Sequence, residues 1–243
     1  MTKHSESMLL HLQHVFKLLK VDVTKEQLDK FAMFDDFLIE YNEKINLTRI
    51  VDPLEVAVKH FGDSVALLTL TTLFPGAKVI DVGAGAGFPG IPLAIMRPDL
   101  KFTLVDSLRK RTVFLSELTE NLSLNNVEVV WGRAEDIGQN TEYREKHDTV
   151  IARAVAPLNV LAELCLPLIR IGGAFFAMKG PKAEAEVSLA EKAIAILGGK
   201  VVSFDSVLLP LIEDSRSLVT ISKISSTPRT FPRKAGVPER QPL

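Results

Sequence analysis

Four of the chain's 14 glycines fall within eight residues, in Asp81-Val82-Gly83-Ala84-Gly85-Ala86-Gly87-Phe88-Pro89-Gly90. They follow a short apolar run, Lys78-Val79-Ile80-Asp81-Val82, and precede an apolar stretch over 91–97 of helical character. A strand that runs through glycines into a helix lets a ligand approach the backbone closely, because no Cβ stands in the way. This loop selects an open α/β sheet with a ligand site beyond the carboxyl end of a strand.

The texture around the loop agrees. Short apolar runs at 78–82, 102–105, 127–131, 149–152 and 174–178 read as strands, with helical segments at 91–97, 109–121, 158–169 and 183–197 between them. Two more strands are expected at 201–207 and 217–223. Such alternation predicts a doubly wound, mostly parallel seven-stranded sheet with helices on both faces. Residues 1–75 read as a helical N-terminal region: apolar residues recur at helical spacing, Thr24 and Gln27 suit a capping box, and Pro53 suits the first turn of a third helix. The core spans 76–223. The last twenty residues hold Pro228, Pro232, Pro238 and Pro242 and are expected to lie as an extended arm without regular structure.

Composition narrows the class. Hydrophobic residues make up 47% and charged residues 24% of 243, enough to bury a core without staples. A single cysteine excludes an intramolecular disulfide and argues against a cysteine-rich metal site, so no metal is expected. No apolar run approaches the ~18 residues of a membrane span. His11, Gln13 and His14 interrupt the only N-terminal apolar stretch, so a signal peptide is not expected and a cytoplasmic location is. The net charge of -1 does not suit a bulk nucleic-acid coat. Charge is uneven, however: Lys223, Arg229, Arg233, Lys234 and Arg240 face only Glu239 near the end, and Lys101, Arg109, Lys110 and Arg111 face only Asp106.

The glycine loop has two readings. Gly85-x-Gly87-x-x-Gly90 matches a dinucleotide fingerprint. Asp81-x-Gly83-x-Gly85-x-Gly87 matches an S-adenosylmethionine loop, and is preferred, because Asp81 would repel a pyrophosphate but suits a cationic amino-acid moiety. Asp106, at the end of the next expected strand and 23 positions after Gly83, is placed to accept bonds from ribose hydroxyls in either case. The third expected strand leads into Gly132-Arg133-Ala134-Glu135, a turn that flanks adenine in this fold class. Elimination addresses the chemistry. The segment Ile151-Ala152-Arg153-Ala154-Val155-Ala156-Pro157 lacks the Asn/Asp-Pro-Pro-aromatic element of exocyclic-amine methylation, and Cys165 reads as a core thiol rather than a nucleophile. A lone-pair nucleophile such as guanine N7 needs neither device, which permits that substrate without establishing it.

The chain resembles the bacterial glucose-inhibited division protein B family, guanine-N7 methyltransferases of small-subunit ribosomal RNA. The resemblance rests on Asn46-Leu47-Thr48, His60-Phe61-Gly62-Asp63-Ser64, the glycine loop with Phe88-Pro89-Gly90, Val105-Asp106-Ser107, Ala152-Arg153-Ala154-Val155-Ala156-Pro157-Leu158, Lys179-Gly180 and the ending around Pro232-Arg233-Lys234. It implies a Rossmann-like class I methyltransferase with S-adenosyl-L-methionine held by Gly83, Phe88, Asp106, Ala134, Glu135 and Arg153. It implies small-subunit ribosomal RNA or the assembled small subunit as partner. Gly62 departs from the family, which more often has a bulky apolar residue there. From its charge and prolines, the C-terminal arm is expected to contact RNA through Arg229, Arg233 and Lys234 and to stay outside the cofactor site. A nicotinamide-dependent oxidoreductase and a catalytically inactive ribosome-assembly factor are the alternatives.

Overall fold

The computed structural model describes residues 1–180, 183–212 and 214–243. Among the described residues, seven strands form one sheet in the order β3-β2-β1-β4-β5-β7-β6. Strands β1 (Lys78–Val82), β2 (Lys101–Asp106), β3 (Val127–Trp131), β4 (His147–Arg153) and β5 (Ile169–Lys179) run parallel. Strand β7 (Asp214–Lys223) is antiparallel to both β5 and β6 (Gly199–Leu209). Successive connections wind outward from β1, to β2 and β3 on one side and to β4 and β5 on the other. The crevice beyond the ends of β1 and β4 is therefore the switch point where such sheets bind ligands. This is the doubly wound, mostly parallel architecture that the strand-helix alternation predicts.

Side-chain alternation divides the strands between two cores. Val79, Leu104, Ile151, Phe176 and Leu218 face one, and Ile80, Val82, Val105, Val150, Phe175 and Val219 face the other. The first core is covered by the N-terminal helices α1 (Lys3–Leu19) and α2 (Lys25–Ile45), which contribute Met8, Leu12, Phe16, Phe31, Phe34 and Leu38. Thr24 and Gln27 form the expected capping box at the start of α2, and Thr2 with Ser5 forms another at the start of α1.

The third helix starts at Pro53, as expected, with Asp52 Oδ1 accepting from the Leu54 and Glu55 amides. It is not one regular helix. A turn, α3 (Pro53–Glu55), opens into a π-helical stretch, Val56–Gly62, before α4 (Asp63–Leu70). Gly62 sits where a Cβ would lie 2.7 Å from Val15 Cγ1, so the departure from the family's bulky residue matches a valine on α1.

The remaining helices are α5 (Gly90–Met96), α6 (Arg109–Asn121), α7 (Ala134–Gln139), α8 (Leu158–Cys165), α9 (Ala183–Ile196) and α10 (Val237–Arg240). Three expectations need correction. Helix α8 ends at Cys165, because Pro167 turns the chain through a short 3-10 turn, Leu166–Leu168, into an eleven-residue β5. The final segment is not devoid of regular structure: Gly236, in the left-handed region at φ 77°, starts the single turn α10, with Pro238 in its first turn. Lys223, counted among the basic residues of that segment, is fully buried, and donates to the Leu166 and Leu197 carbonyls and to Thr227 Oγ1.

Candidate active site

A cavity opens beyond the carboxyl ends of β1, β2 and β3. Gly83, Asp106, Ala134 and Glu135 all line it, together with Val155, Ala156, Val160 and Leu164. Gly83 closes the floor at φ 77°, and a Cβ there would meet Val155 Cγ2 at 2.7 Å. Only glycine fits that close approach.

Asp106 organises the rim. Its Oδ2 accepts from the Gly85 amide at 2.9 Å and from Arg111 Nη1 at 3.4 Å, and its Oδ1 accepts from the Leu108 amide at 2.8 Å. One carboxylate thus ties the glycine loop to the entry of α6 while still facing the cavity. Asp81 lies on the other side of the loop, fully buried. Its Oδ2 accepts from the Gly90 amide at 2.9 Å, and its Oδ1 has no partner. Burial pushes its carboxyl up to about 7, against the pull of the Gly90 amide and Arg153. A pyrophosphate would need the amide at the start of α5, which Asp81 already occupies. The loop geometry therefore disfavours the nicotinamide alternative.

Phe88 and Arg153 are not brought to this cavity. Phe88 is buried and stacked between Phe34 and His60, with ring centroids 5.0 and 4.3 Å away. The Arg153 guanidinium lies over its ring at 5.4 Å and donates to the Lys59 carbonyl and to Asp63 Oδ2 at 2.9 and 2.8 Å. Strand parity explains the direction: Ile151 faces the N-terminal helices, so Arg153, two residues on, does too.

Arg153 instead lines a second cavity with Lys59, His60, Asp63, Lys179 and Arg216. The turn that follows β4 separates the two, since Ala154 borders the second cavity and Val155 the first. Asp63, almost completely buried, bridges Arg153 and Arg216, the latter at 3.6 Å. Lys179 donates to the Ala156 carbonyl and pairs with Glu186 at 2.7 Å, so it is held against the turn. His60 Nε2 lies 2.9 Å from Thr48 Oγ1, which also accepts from the Ile50 amide, and His60 Nδ1 has no partner. Burial, reinforced by Arg153, drives its imidazole down to about 3, so it is neutral at physiological pH. Asn46 caps α2 in the left-handed region. Arg216 has no signal in the sequence, because only the β5–β7 pairing brings β7 to this place, and Asp63 stands in a family motif without a role that local sequence reveals.

The C-terminal segment departs most from expectation. Pro238 and Glu239 line the first cavity, so the segment forms part of that cavity's wall. Arg233, expected to contact RNA, makes a two-pronged pair with Glu163, its Nη2 at 2.6 Å and its Nε at 2.9 and 3.1 Å from the two oxygens. Glu163 is 1% exposed. A carboxylate buried that deeply needs a partner, and Glu163 is the one charged residue of α8, a signal from which a cation could have been inferred. Arg229 and Lys234 are exposed. Cys165 is buried, with its thiol pushed well up by burial. Among the described residues, no group of His, Cys, Asp or Glu could hold a metal, and no helix is long and apolar enough to cross a membrane.

Comparison with known proteins gives the family and the fold. The sequence model of the GidB family, described as rRNA small subunit methyltransferase G, matches residues 27–218. Ribosomal RNA small subunit methyltransferase G of Lactobacillus acidophilus is 51% identical over 241 residues, covering 98% of both chains. Its counterpart in Desulforamulus reducens is 47% identical over 232 residues, covering 96% of this chain and 97% of that one. Among solved structures, a SAM-dependent O-methyltransferase from Thermotoga maritima superposes with a TM-score of 0.51 at 17% identity, covering 79% of this chain and 72% of that one. The antibiotic-resistance methyltransferase Kmr gives 0.50 at 18% identity, covering 62% and 88%. At such identities the structural likeness shows the fold alone. The family match runs from the first turn of α2 into β7, and relatives align almost end to end: the chain belongs to the GidB family of small-subunit ribosomal RNA methyltransferases.

Proposed function

We propose that this chain transfers a methyl group from S-adenosylmethionine to N7 of a guanine in small-subunit ribosomal RNA. Family membership carries the reading, and the cavity at the switch point supports it. The residues present fit an S-adenosyl group. Gly83 and Val155 close the cavity floor against each other, Asp106 offers lone pairs at the rim where ribose hydroxyls donate, and Asp81, buried behind the loop, keeps an oxygen without the partner that an ammonium reaching past the loop would supply. When bound, the group supplies an electrophilic methyl on a sulfonium.

The protein's own part is positioning. Asp106 holds the nucleoside while keeping the loop closed through Gly85. The four basic residues that line the second cavity, Lys59, Arg153, Lys179 and Arg216, are paired with Glu55, Asp63, Glu186 and Asp214, so a nucleotide's phosphate there would compete with those carboxylates for its donors. The turn over 153–157 sets the separation between donor and acceptor. Guanine N7 loses no proton as it attacks, so no side chain has to remove one, and alignment with electrostatics carries the rate. His60, neutral and stacked on Phe88, forms part of the second cavity's wall. The test is incubation with S-adenosylmethionine labelled in the methyl group and small ribosomal subunits lacking the modification, followed by nucleoside analysis. Label in 7-methylguanosine is the expected result. Label in another nucleoside would move the acceptor atom, and none at all would favour an assembly role without catalysis.

A further inference from the structure

We infer that the C-terminal segment over 227–241 is a structural wall of the cofactor site, with Pro238 and Glu239 against the purine end of the bound S-adenosyl group. The inference rests on the functional reading above and adds to it a binding element outside the Rossmann-like core.

The segment is fastened at several points. Arg144 donates to the carbonyls of Thr227 and Phe231 at 2.8 and 2.7 Å, and also to that of Gly138 on α7. Gln139 Nε2 donates to the Pro232 carbonyl at 2.7 Å. Arg233 clamps Glu163, and its backbone amide donates to the same carboxylate at 2.8 Å. Gly138 has no room for a Cβ, which would meet Pro232 at 2.8 Å. These contacts specify one docked position on α7 and α8.

That position has a chemical consequence. The Gly236 amide donates to Glu135 Oε1 at 2.8 Å, which sets α10 beside the turn after β3. That turn flanks the adenine in folds of this kind, so the segment stands at the purine end rather than the methyl end. Pro238 there joins Val160 and Leu164 as apolar surface for a flat ring. Glu239 brings a carboxylate to the same wall, a group to which an exocyclic amine donates. Among the described residues Glu239 has no hydrogen bond or ion pair, and it is exposed, so the fold does not require it.

The native thiol Cys165 is buried and unreactive, so a single introduced cysteine can be followed cleanly. The experiment first measures binding of S-adenosylhomocysteine to the native chain by calorimetry. It then measures thiol modification rates of Glu239→Cys and Arg229→Cys with and without saturating ligand. The expected result is slowed modification at position 239 and an unchanged rate at position 229. If Glu239→Cys binds too weakly to saturate yet melts like the native chain, that loss itself shows the contact. Arg233→Ala, which frees the clamp and leaves the buried Glu163 unpaired, should lower the melting temperature and weaken binding together. Equal rates at position 239 with and without ligand, in a variant that binds normally, would overturn the inference and leave the functional reading standing. Equal protection at both positions would also overturn it, because it would report general tightening. No binding by the native chain would remove both.

Discussion

Asp106 shows how one residue serves fold and site together. The sequence suggests that Asp106→Ala weakens cofactor binding with the fold intact, but the carboxylate also receives the Gly85 and Leu108 amides. Removing it should lower S-adenosylhomocysteine affinity by about 10- to 150-fold, from a loss of about 1.5–3 kcal/mol. It should lower the melting temperature as well, because two backbone donors lose their acceptor. Calorimetry and thermal unfolding on the same variant check both. Asp81 gives the pH dependence. Its carboxyl titrates at about 7 in the folded chain and at the ordinary 3.8 once unfolded. Between those values the folded chain holds a proton that the unfolded chain has released, so this contribution to stability is full below 3.8 and lost as pH rises through about 7. A ligand ammonium beside Asp81 favours the ionised form, so cofactor binding at pH 7 should release protons and tighten as pH rises. Calorimetry in two buffers of different protonation enthalpy measures that release, and Asp81→Asn should abolish it. Single-turnover methyl transfer at saturating cofactor should instead stay flat from about pH 6 to 8.5, since no proton leaves N7 and His60 titrates far below that window. A steep rise abolished by His60→Ala would count against N7 as acceptor.

Among the elements, the π-helical stretch over Val56–Gly62 is the least regular, and its seat depends on a pair of residues. Gly62→Leu should destabilise the chain by about 1–3 kcal/mol through overpacking against Val15. In a Val15→Ala background the cost should shrink. Denaturant unfolding of the four variants measures the coupling, and equal costs in both backgrounds would show that the pair does not set this seat. Such detail was not legible in the sequence, because a π-turn carries no local signature that separates it from a continuing α-helix. Strands β1 and β3, the capping box at Thr24 and the glycine loop were legible, since each depends on neighbours within a few residues. Arg153 is legible as a strand-end residue but not as a member of the second cavity, because which face Ile151 covers depends on the N-terminal helices, more than 100 residues away in the chain. The docking of the C-terminal segment is hidden from the sequence for a related reason. Its prolines fix local extension, while Glu163, the residue that holds it, lies far away in the chain.

At the scale of the whole molecule, the basic surface left for RNA is smaller than the charge count suggests. Lys223 is buried and Arg233 is paired, which leaves the exposed Arg229, Lys234 and Arg240 on the C-terminal segment, the last tied to the Gly236 carbonyl. Replacing Arg229 and Lys234 with Ala should flatten the salt dependence of RNA affinity by about 1.5 units, at about 0.7–0.9 per phosphate contact. Binding at several salt concentrations measures the slope, and an unchanged slope would take these two residues out of the RNA interface. The two cavities raise a different matter, because one short turn after β4 forms a wall of each and Lys179 pins it to β5. A ligand that shifts or stiffens that turn from one side alters what the other side can hold. Thermodynamic linkage makes the effect mutual: whatever factor the nucleoside cofactor imposes on RNA affinity, RNA imposes on the cofactor. With the cofactor in the first cavity and the acceptor nucleotide in the second, as proposed, methylated product and spent cofactor would share that wall, and the departure of each would bear on the other.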